Sequence, residues 1–366
     1  MDLEKYRGSE YAKILIDETY SLLDQVPSQL RLMEVCGTHT MAISRSGLRS
    51  ILDGKVDLLS GPGCPVCVTA DRDIDLMISL AKIPNITVTT FGDMMKVPGS
   101  QGSLSQAKAN GGDVEVVYSP LDAVKLARQS DKEVVFLAVG FETTTPVIAL
   151  ALLEAERLSL KNFSIMVNHK LTPPAVRAIV DTDTVKVDGF LCPGHVSSIL
   201  GSDGFAFLAD EYSLPAVVAG FEPVDILLGV NMLLKQIIEG SPRMENTYRR
   251  VVRKEGNKVA RELVTKYFVP ASAEWRGLGT IPESGLSLRE QYRGFDAMEK
   301  FELEVPSTPT VRQGCSCGAI LRGLLKPTDC GLFGSECTPE VPVGPCMVSS
   351  EGACAAYYHF ERRVRV

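Results

Sequence analysis

Six of the ten cysteines in this 366-residue chain, Cys315, Cys317, Cys330, Cys337, Cys346 and Cys354, crowd together near its C-terminal end. Cys315, Cys330, Cys337 and Cys354 are separated by 14, 6 and 16 residues, with Cys317 and Cys346 as spares. Four thiolates suit a [4Fe–4S] cluster, and Gly314, Gly318, Gly331, Gly334, Gly344 and Gly352 allow backbone N–H groups to approach cluster sulfurs. A zinc ribbon or knuckle would show paired C-x₂-C ligands, which this stretch lacks. Reduced structural thiols or disulfides are the remaining reading.

The other four cysteines lie in the first 200 residues and imply a second centre. Cys64-Pro65-Val66-Cys67 puts two thiols within disulfide reach at the start of a predicted helix, whose dipole lowers the first thiol's pKa. Redox chemistry, half a zinc site and buried structural thiols all fit that spacing. The preceding Gly61-Pro62-Gly63 is a tight turn and favours the redox reading. Cys36 is followed three residues later by His39, so a soft thiolate ligand can share a site with an imidazole; a merely buried cysteine is the competing reading. Cys192 reads as structural.

His169 and His195 are two of only four histidines, and both fall in loops after predicted strands, which favours a polar cleft. Glu142, followed by Thr143 and Thr144, and Glu222 each succeed a Gly-Phe pair. They are cleft residues or anions at helix N-termini.

These residues need a frame that gathers strand ends. Short apolar, often β-branched runs occur at 32–35, 56–59, 86–90, 114–118, 134–139, 163–167, 187–191 and 216–219, and helical patterns alternate with them. The expectation is an α/β fold of parallel sheets covered on both faces, divided into two modules. The chemically distinctive residues follow these runs directly, at the carboxyl ends where open α/β sheets bind ligands. Pro223 opens a predicted helix through residue 238, and residues 257–267 predict another. Residues 9–25 form a helix without a strand partner, expected to pack on the C-terminal part. From 305 onward Pro, Gly and Cys dominate, and a bound cofactor is needed to hold such a segment together.

Composition narrows the partners. At 45% hydrophobic and 23% charged the chain is globular, and a formal charge of −7 without a long Lys/Arg run excludes a nucleic-acid field. No 18-residue apolar stretch and no apolar signal core at Met1-Asp2-Leu3-Glu4-Lys5-Tyr6 predict a cytoplasmic protein without a membrane anchor. The loop glycines form neither G-x-G-x-x-G nor a Walker A sequence.

The ordered set Cys36-Gly37-Thr38-His39-Thr40, Gly61-Pro62-Gly63-Cys64-Pro65-Val66-Cys67, Gly140-Phe141-Glu142-Thr143-Thr144, Cys192-Pro193-Gly194-His195 and C-x₁₄-C-x₆-C-x₁₆-C resembles the HypD family of hydrogenase maturation factors. The resemblance implies three domains. They are an α/β module over 31–130, a second over 131–235, and a loop- and helix-rich [4Fe–4S] domain from 1–30 together with 236–366. It further implies a scaffold for the Fe(CN)₂CO unit of a [NiFe] hydrogenase, held transiently with a HypC-type chaperone. A HypE-type partner would donate cyanide from a thiocyanate on its C-terminal cysteine. Outside these complexes a monomer is expected. By motif, Cys36 would anchor the iron, His39 would support it, Cys64 and Cys67 would be a redox pair, and Cys315, Cys330, Cys337 and Cys354 would hold the cluster. The ligand choice stays open between Cys315 and Cys317 and between Cys346 and Cys354. Two other functions remain: a ferredoxin-dependent thiol–disulfide oxidoreductase, and a non-redox interaction module with a structural cluster.

Overall fold

The computed structural model describes residues 9–361 apart from 27, 53, 101, 183–184, 302 and 304–313. All eight predicted runs form strands: β1 (Leu30–Glu34), β2 (Val56–Ser60), β3 (Ile86–Thr90), β4 (Val114–Val116), β5 (Glu133–Gly140), β6 (Phe163–His169), β7 (Gly189–Pro193) and β8 (Ala216–Ala219). Three more follow, β9 (Met244–Asn246), β10 (Phe268–Trp275) and β11 (Gly279–Leu288). One parallel sheet has the order β2-β1-β7-β8-β9 and a second the order β4-β3-β5-β6, while β10 and β11 form an antiparallel hairpin. The α/β class with two parallel sheets is therefore what the chain adopts.

Sheet membership crosses the linear division at residue 130. β1 and β2 belong to the first sheet and β3 and β4 to the second, while β5 and β6 stay in the second and β7 and β8 return to the first. The second sheet is thus an insertion between β2 and β7. Leu32 pairs with Leu58 on one side and with Gly189 on the other, and Val88 pairs with both Val114 and Val135. Burial on both faces explains why these strands are continuous apolar runs: β8 is wholly buried, as are Val134 through Val139 of β5. Each valine, leucine or phenylalanine among them contributes about 1.5–3 kcal/mol when fully buried.

The predicted helix after β8 runs from Pro223 to Glu239, with Pro at its first turn and a Glu222–Asp225 capping box. Gly240, at φ 61°, closes it in the left-handed conformation. The N-terminal helix Ser9–Leu23 packs on this helix, not on the cysteine-rich segment as expected. Leu15 and Leu22 join Ile226, Val230 and Leu233 in one core. Thr19 Oγ1 donates to Asn231 Oδ1 at 2.8 Å, and Asn231 Nδ2 donates to the Leu15 carbonyl at 3.1 Å. A buried polar pair inside an apolar contact fixes the register of the two helices. Among the described residues, no helix is long and apolar enough to cross a membrane.

Candidate metal and thiol centre

In the first sheet the chain runs outward from β1 to β2 and then returns to the other side of β1 as β7. The strand order therefore reverses between β1 and β7, and a crevice opens beyond their carboxyl ends. Cys36 stands there, two residues after β1, as the N-cap of the helix Gly37–Ser46. It is only 8% exposed. Its backbone N–H donates to Glu34 Oε2 at 3.1 Å, and Thr40 Oγ1 donates to the other oxygen of that carboxyl. Burial first, and then the carboxylates of Glu351 and Glu34, push the Cys36 thiol up to about 12. The thiol is consequently protonated at neutral pH, and a metal ion must displace that proton to bind.

Two loops close over Cys36. Gly63 fits so tightly that a Cβ on it would lie 2.4 Å from the Cys36 nitrogen, and Gly37 N–H donates to the Gly63 carbonyl at 2.9 Å. From the other side Glu351 accepts a hydrogen bond from Thr38 Oγ1 at 2.8 Å. The next residue but one after Gly63 opens the short helix Pro65–Val68, which Cys64 caps by accepting from Cys67 N–H at 3.2 Å. Cys64 and Cys67 are joined as a disulfide with their Cα atoms 5.3 Å apart, and both are buried. A small cavity of about 10 Å³ here is lined by Gly37, Gly63, Cys64, Cys67, Glu351 and Ala353, among others.

Beyond the disulfide, Cys67 Sγ lies 3.9 Å from the carbonyl oxygen of Pro345, the neighbour of Cys346. There the C-terminal thiols close on a second, narrow cavity of about 10 Å³, lined by Cys315, Cys317, Cys330, Cys337 and Cys354. Cys346 is fully buried and lies outside that lining, but its thiol meets those of Cys317 and Cys354, so it belongs to the same thiol group. Cys315 and Cys317 both face the cavity. A Cβ on Gly344 would lie 2.5 Å from Cys317 Sγ and 2.7 Å from Cys315 Sγ, so a larger residue there would displace these sulfurs. Cys315 and Cys346 foremost, with burial behind them, hold the Cys317 thiol well above its ordinary range. Among the described residues, no group of three His, Cys, Asp or Glu side chains is gathered to hold a single metal ion. The thiols line a narrow gap, and thiolate is the donor type that the ligands of an iron–sulfur group require.

The histidines divide. His39 Nε2 donates to the Gly220 carbonyl at 2.9 Å, its Nδ1 has no protein partner, and burial pulls its pKa down to about 4. The ring thus ties the Cys36 helix to the loop after β8. Phe221 in that loop lies between His39, tilted against it at 4.8 Å, and the exposed His195, stacked on it at 3.9 Å. Glu222 caps the following helix. Cys192 is fully buried in β7 and its thiol is raised by burial, in keeping with the structural reading.

Glu142, Thr143, Thr144 and His169 lie at the carboxyl edge of the second sheet. Glu142 accepts from both the N–H and the hydroxyl of Thr172, at 2.7 and 2.9 Å, so it caps the helix Thr172–Val180. Burial raises its carboxyl to about 7. Thr143 is exposed, and the half-buried Thr144 sits over Gly140, where a Cβ would come within 2.5 Å of it. His169 is buried edge-on against Phe268 with neither ring nitrogen bonded, and its pKa is lowered to about 3.

Sequence reasoning missed Glu34 and Glu351. An acid ending the otherwise apolar run before Cys36 was the available signal for Glu34, since an unpaired buried carboxylate is too costly without a purpose-built partner. Glu351 had only its position three residues before Cys354.

The chain is thus a cysteine-bearing parallel α/β scaffold, with one cysteine at a strand reversal, a buried cysteine pair and a group of C-terminal thiols. Comparison with known proteins gives the rest. The HypD family model, described as "Hydrogenase formation hypA family", matches residues 10–361. The hydrogenase maturation factor HypD of Rhizobium leguminosarum bv. viciae is 47% identical, over 98% of this chain and 95% of its own. The hydrogenase expression/formation protein HupD of Azotobacter chroococcum is 49% identical over 92% of this chain and 90% of its own. HypD of Escherichia coli is 44% identical over 99% and 98%. The chain belongs to the HypD family of hydrogenase maturation factors.

Proposed function

We propose that this protein is the scaffold on which the Fe(CN)₂CO unit of a [NiFe] hydrogenase is assembled, with a HypC-type chaperone and a HypE-type cyanide donor. The observation that carries the reading is the stacking of three thiol sites in one line of contact. Cys36 lies against Gly63, the Cys64–Cys67 pair follows directly, and Cys67 abuts the Pro345–Cys346 backbone. Cyanide and CO demand low-valent iron, so their attachment needs a soft anchoring thiolate, electrons and exclusion of water.

In this reading Cys36 binds the substrate iron and releases its proton. Glu34 orients the Cys36 backbone, and His39 holds the helix that Cys36 begins. Cys64 and Cys67 cycle between disulfide and dithiol. A [4Fe–4S] cluster on Cys315 or Cys317, Cys330, Cys337 and Cys354 would supply single electrons. Burial of both sulfurs of the disulfide argues against a reductase of protein disulfides, because a bulky substrate cannot reach them.

Infrared spectroscopy of the protein co-purified anaerobically with its HypC-type partner tests the proposal. CN and CO stretches are expected. Turnover of a disulfide substrate without any such bands would select the oxidoreductase, and full maturation activity in Cys64→Ser would select the non-redox module.

A further inference from the structure

The β10–β11 hairpin answers to no motif and touches both the helix that carries Cys67 and the segment that carries Cys317. At its tip the Arg276 N–H donates to the Val68 carbonyl at 2.8 Å, and Trp275 bridges to Thr69, so the hairpin grips the C-terminal end of the helix that carries Cys67. Arg276 also pairs with Asp71, the first residue of the next helix. One residue further, Gly277 meets Gly318 backbone to backbone. A Cβ on Gly277 would lie 2.4 Å from Gly318 Cα, and one on Gly318 would lie 3.0 Å from Gly277 Cα. Gly318 adjoins Cys317, which lines the C-terminal cavity. The body of the hairpin is anchored on the second sheet: Leu171 N–H donates to the Ser284 carbonyl at 2.8 Å, and Lys170 bridges to Gly285. Trp275 joins these ends, with Nε1 donating to Ser284 Oγ at 2.8 Å and its ring stacked on Phe141 at 6.0 Å.

We propose that this hairpin is a strut that sets the distance between the C-terminal thiol centre and the Cys64–Cys67 pair, with Gly277, Gly318 and Trp275 as positioning residues. The inference rests on the redox reading above. Electron transfer falls steeply with separation, and two glycines in contact bring the hairpin closer to the C-terminal thiols than any pair of side chains would allow. Reduction of the disulfide consumes two electrons and two protons and yields two thiols; in the test, dithionite donates the electrons one at a time through the C-terminal centre.

The experiment uses the anaerobically purified full chain, Gly318→Val, Trp275→Phe, and Gly294→Ala as a control whose Cβ meets nothing within 4 Å. Reduction of Cys64–Cys67 by dithionite, or directly by a phosphine, is followed by alkylation and mass spectrometry. Compared at matched iron content, Gly318→Val should keep its phosphine rate while its dithionite rate falls tenfold or more. An unchanged dithionite rate overturns the strut. A wild-type pair that dithionite reduces no faster with the centre than without it overturns the redox reading, and the strut with it. If Gly318→Val does not fold, Trp275→Phe decides by a second measurement, the alkylation rate of pre-reduced Cys67 in iron-free protein. That rate should rise severalfold when the helix is less firmly held, and no change refutes the proposal.

Discussion

Replacing Gly63 by alanine tests the contact on which the site's geometry depends. The new Cβ would lie 2.4 Å from the Cys36 nitrogen, 2.5 Å from its Cα and 2.6 Å from the Val35 carbonyl carbon, where ordinary contact begins at 3.4 Å. All three neighbours are backbone, so no side chain can swing aside. The loop carrying Cys64 must therefore withdraw from Cys36 by about 1 Å, with an overpacking penalty of roughly 1–3 kcal/mol. A shift of that size at a reacting centre lowers rates on the order of 10²-fold. Urea unfolding should show a lower midpoint for Gly63→Ala than for wild type or Gly294→Ala. Hydrogenase maturation in a complementation assay, at matched protein levels, should fall to a few per cent or less. Wild-type stability together with wild-type maturation would refute the reasoning, because the loop would then tolerate a gap beside Cys36.

Other outcomes follow from the same site. Cys36→Ser should abolish the Fe–CN and Fe–CO infrared bands and leave the visible absorption of the C-terminal centre intact, since hydroxyl is a poor iron ligand; full maturation by Cys36→Ala would sink the anchor. Anaerobic protein should carry about four irons and four labile sulfides per chain. Cys354→Ser should lose most of that iron and Cys346→Ser much less, and the reverse order would overturn the ligand choice. Glu142, whose carboxyl is raised by burial from 4.5 to about 7, favours the folded state while protonated. Its contribution is complete below the unfolded pKa and is lost as pH rises through about 7, a loss on the order of 3 kcal/mol. Glu142→Gln should therefore show a shallower fall in urea midpoint between pH 5 and 8, and parallel curves for the two proteins would contradict this.

The strand runs were legible because a strand buried on both faces can hardly be anything but a short β-branched stretch; Ile86–Thr90 matches residue for residue. The sheet to which each strand belongs was not legible, since periodicity carries no record of which neighbour a strand will meet. The hairpin escaped for a local reason. Phe268–Trp275 contains Pro270 and two small alanines in place of β-branched residues, although its alternation of buried and exposed positions was a signal. At the site, cysteine spacing pointed to the C-terminal thiol group, whereas the direction of the His39 imidazole depends on a loop that lies 181 residues away in sequence. Glu142 resolved to the plainer of its two readings, a helix cap.

The insertion of one sheet inside the other also orders events on the ribosome. Residues 86–169 contain every strand of the second sheet and can close it as soon as they emerge. β1 and β2 are synthesised earlier, yet Leu32 must wait for Gly189 and β7 in turn for β8. During that interval Leu32, Met33, Leu58 and Leu59, all buried in the finished protein, have no sheet to cover them. The oldest part of the nascent chain is therefore the last to become safe from aggregation, and Cys36 takes up its position only when the outer sheet closes. Limited proteolysis of ribosome-bound chains halted just before β7 emerges should find a protected 86–169 core behind a digestible N-terminal segment. Equal protection of both would contradict this order.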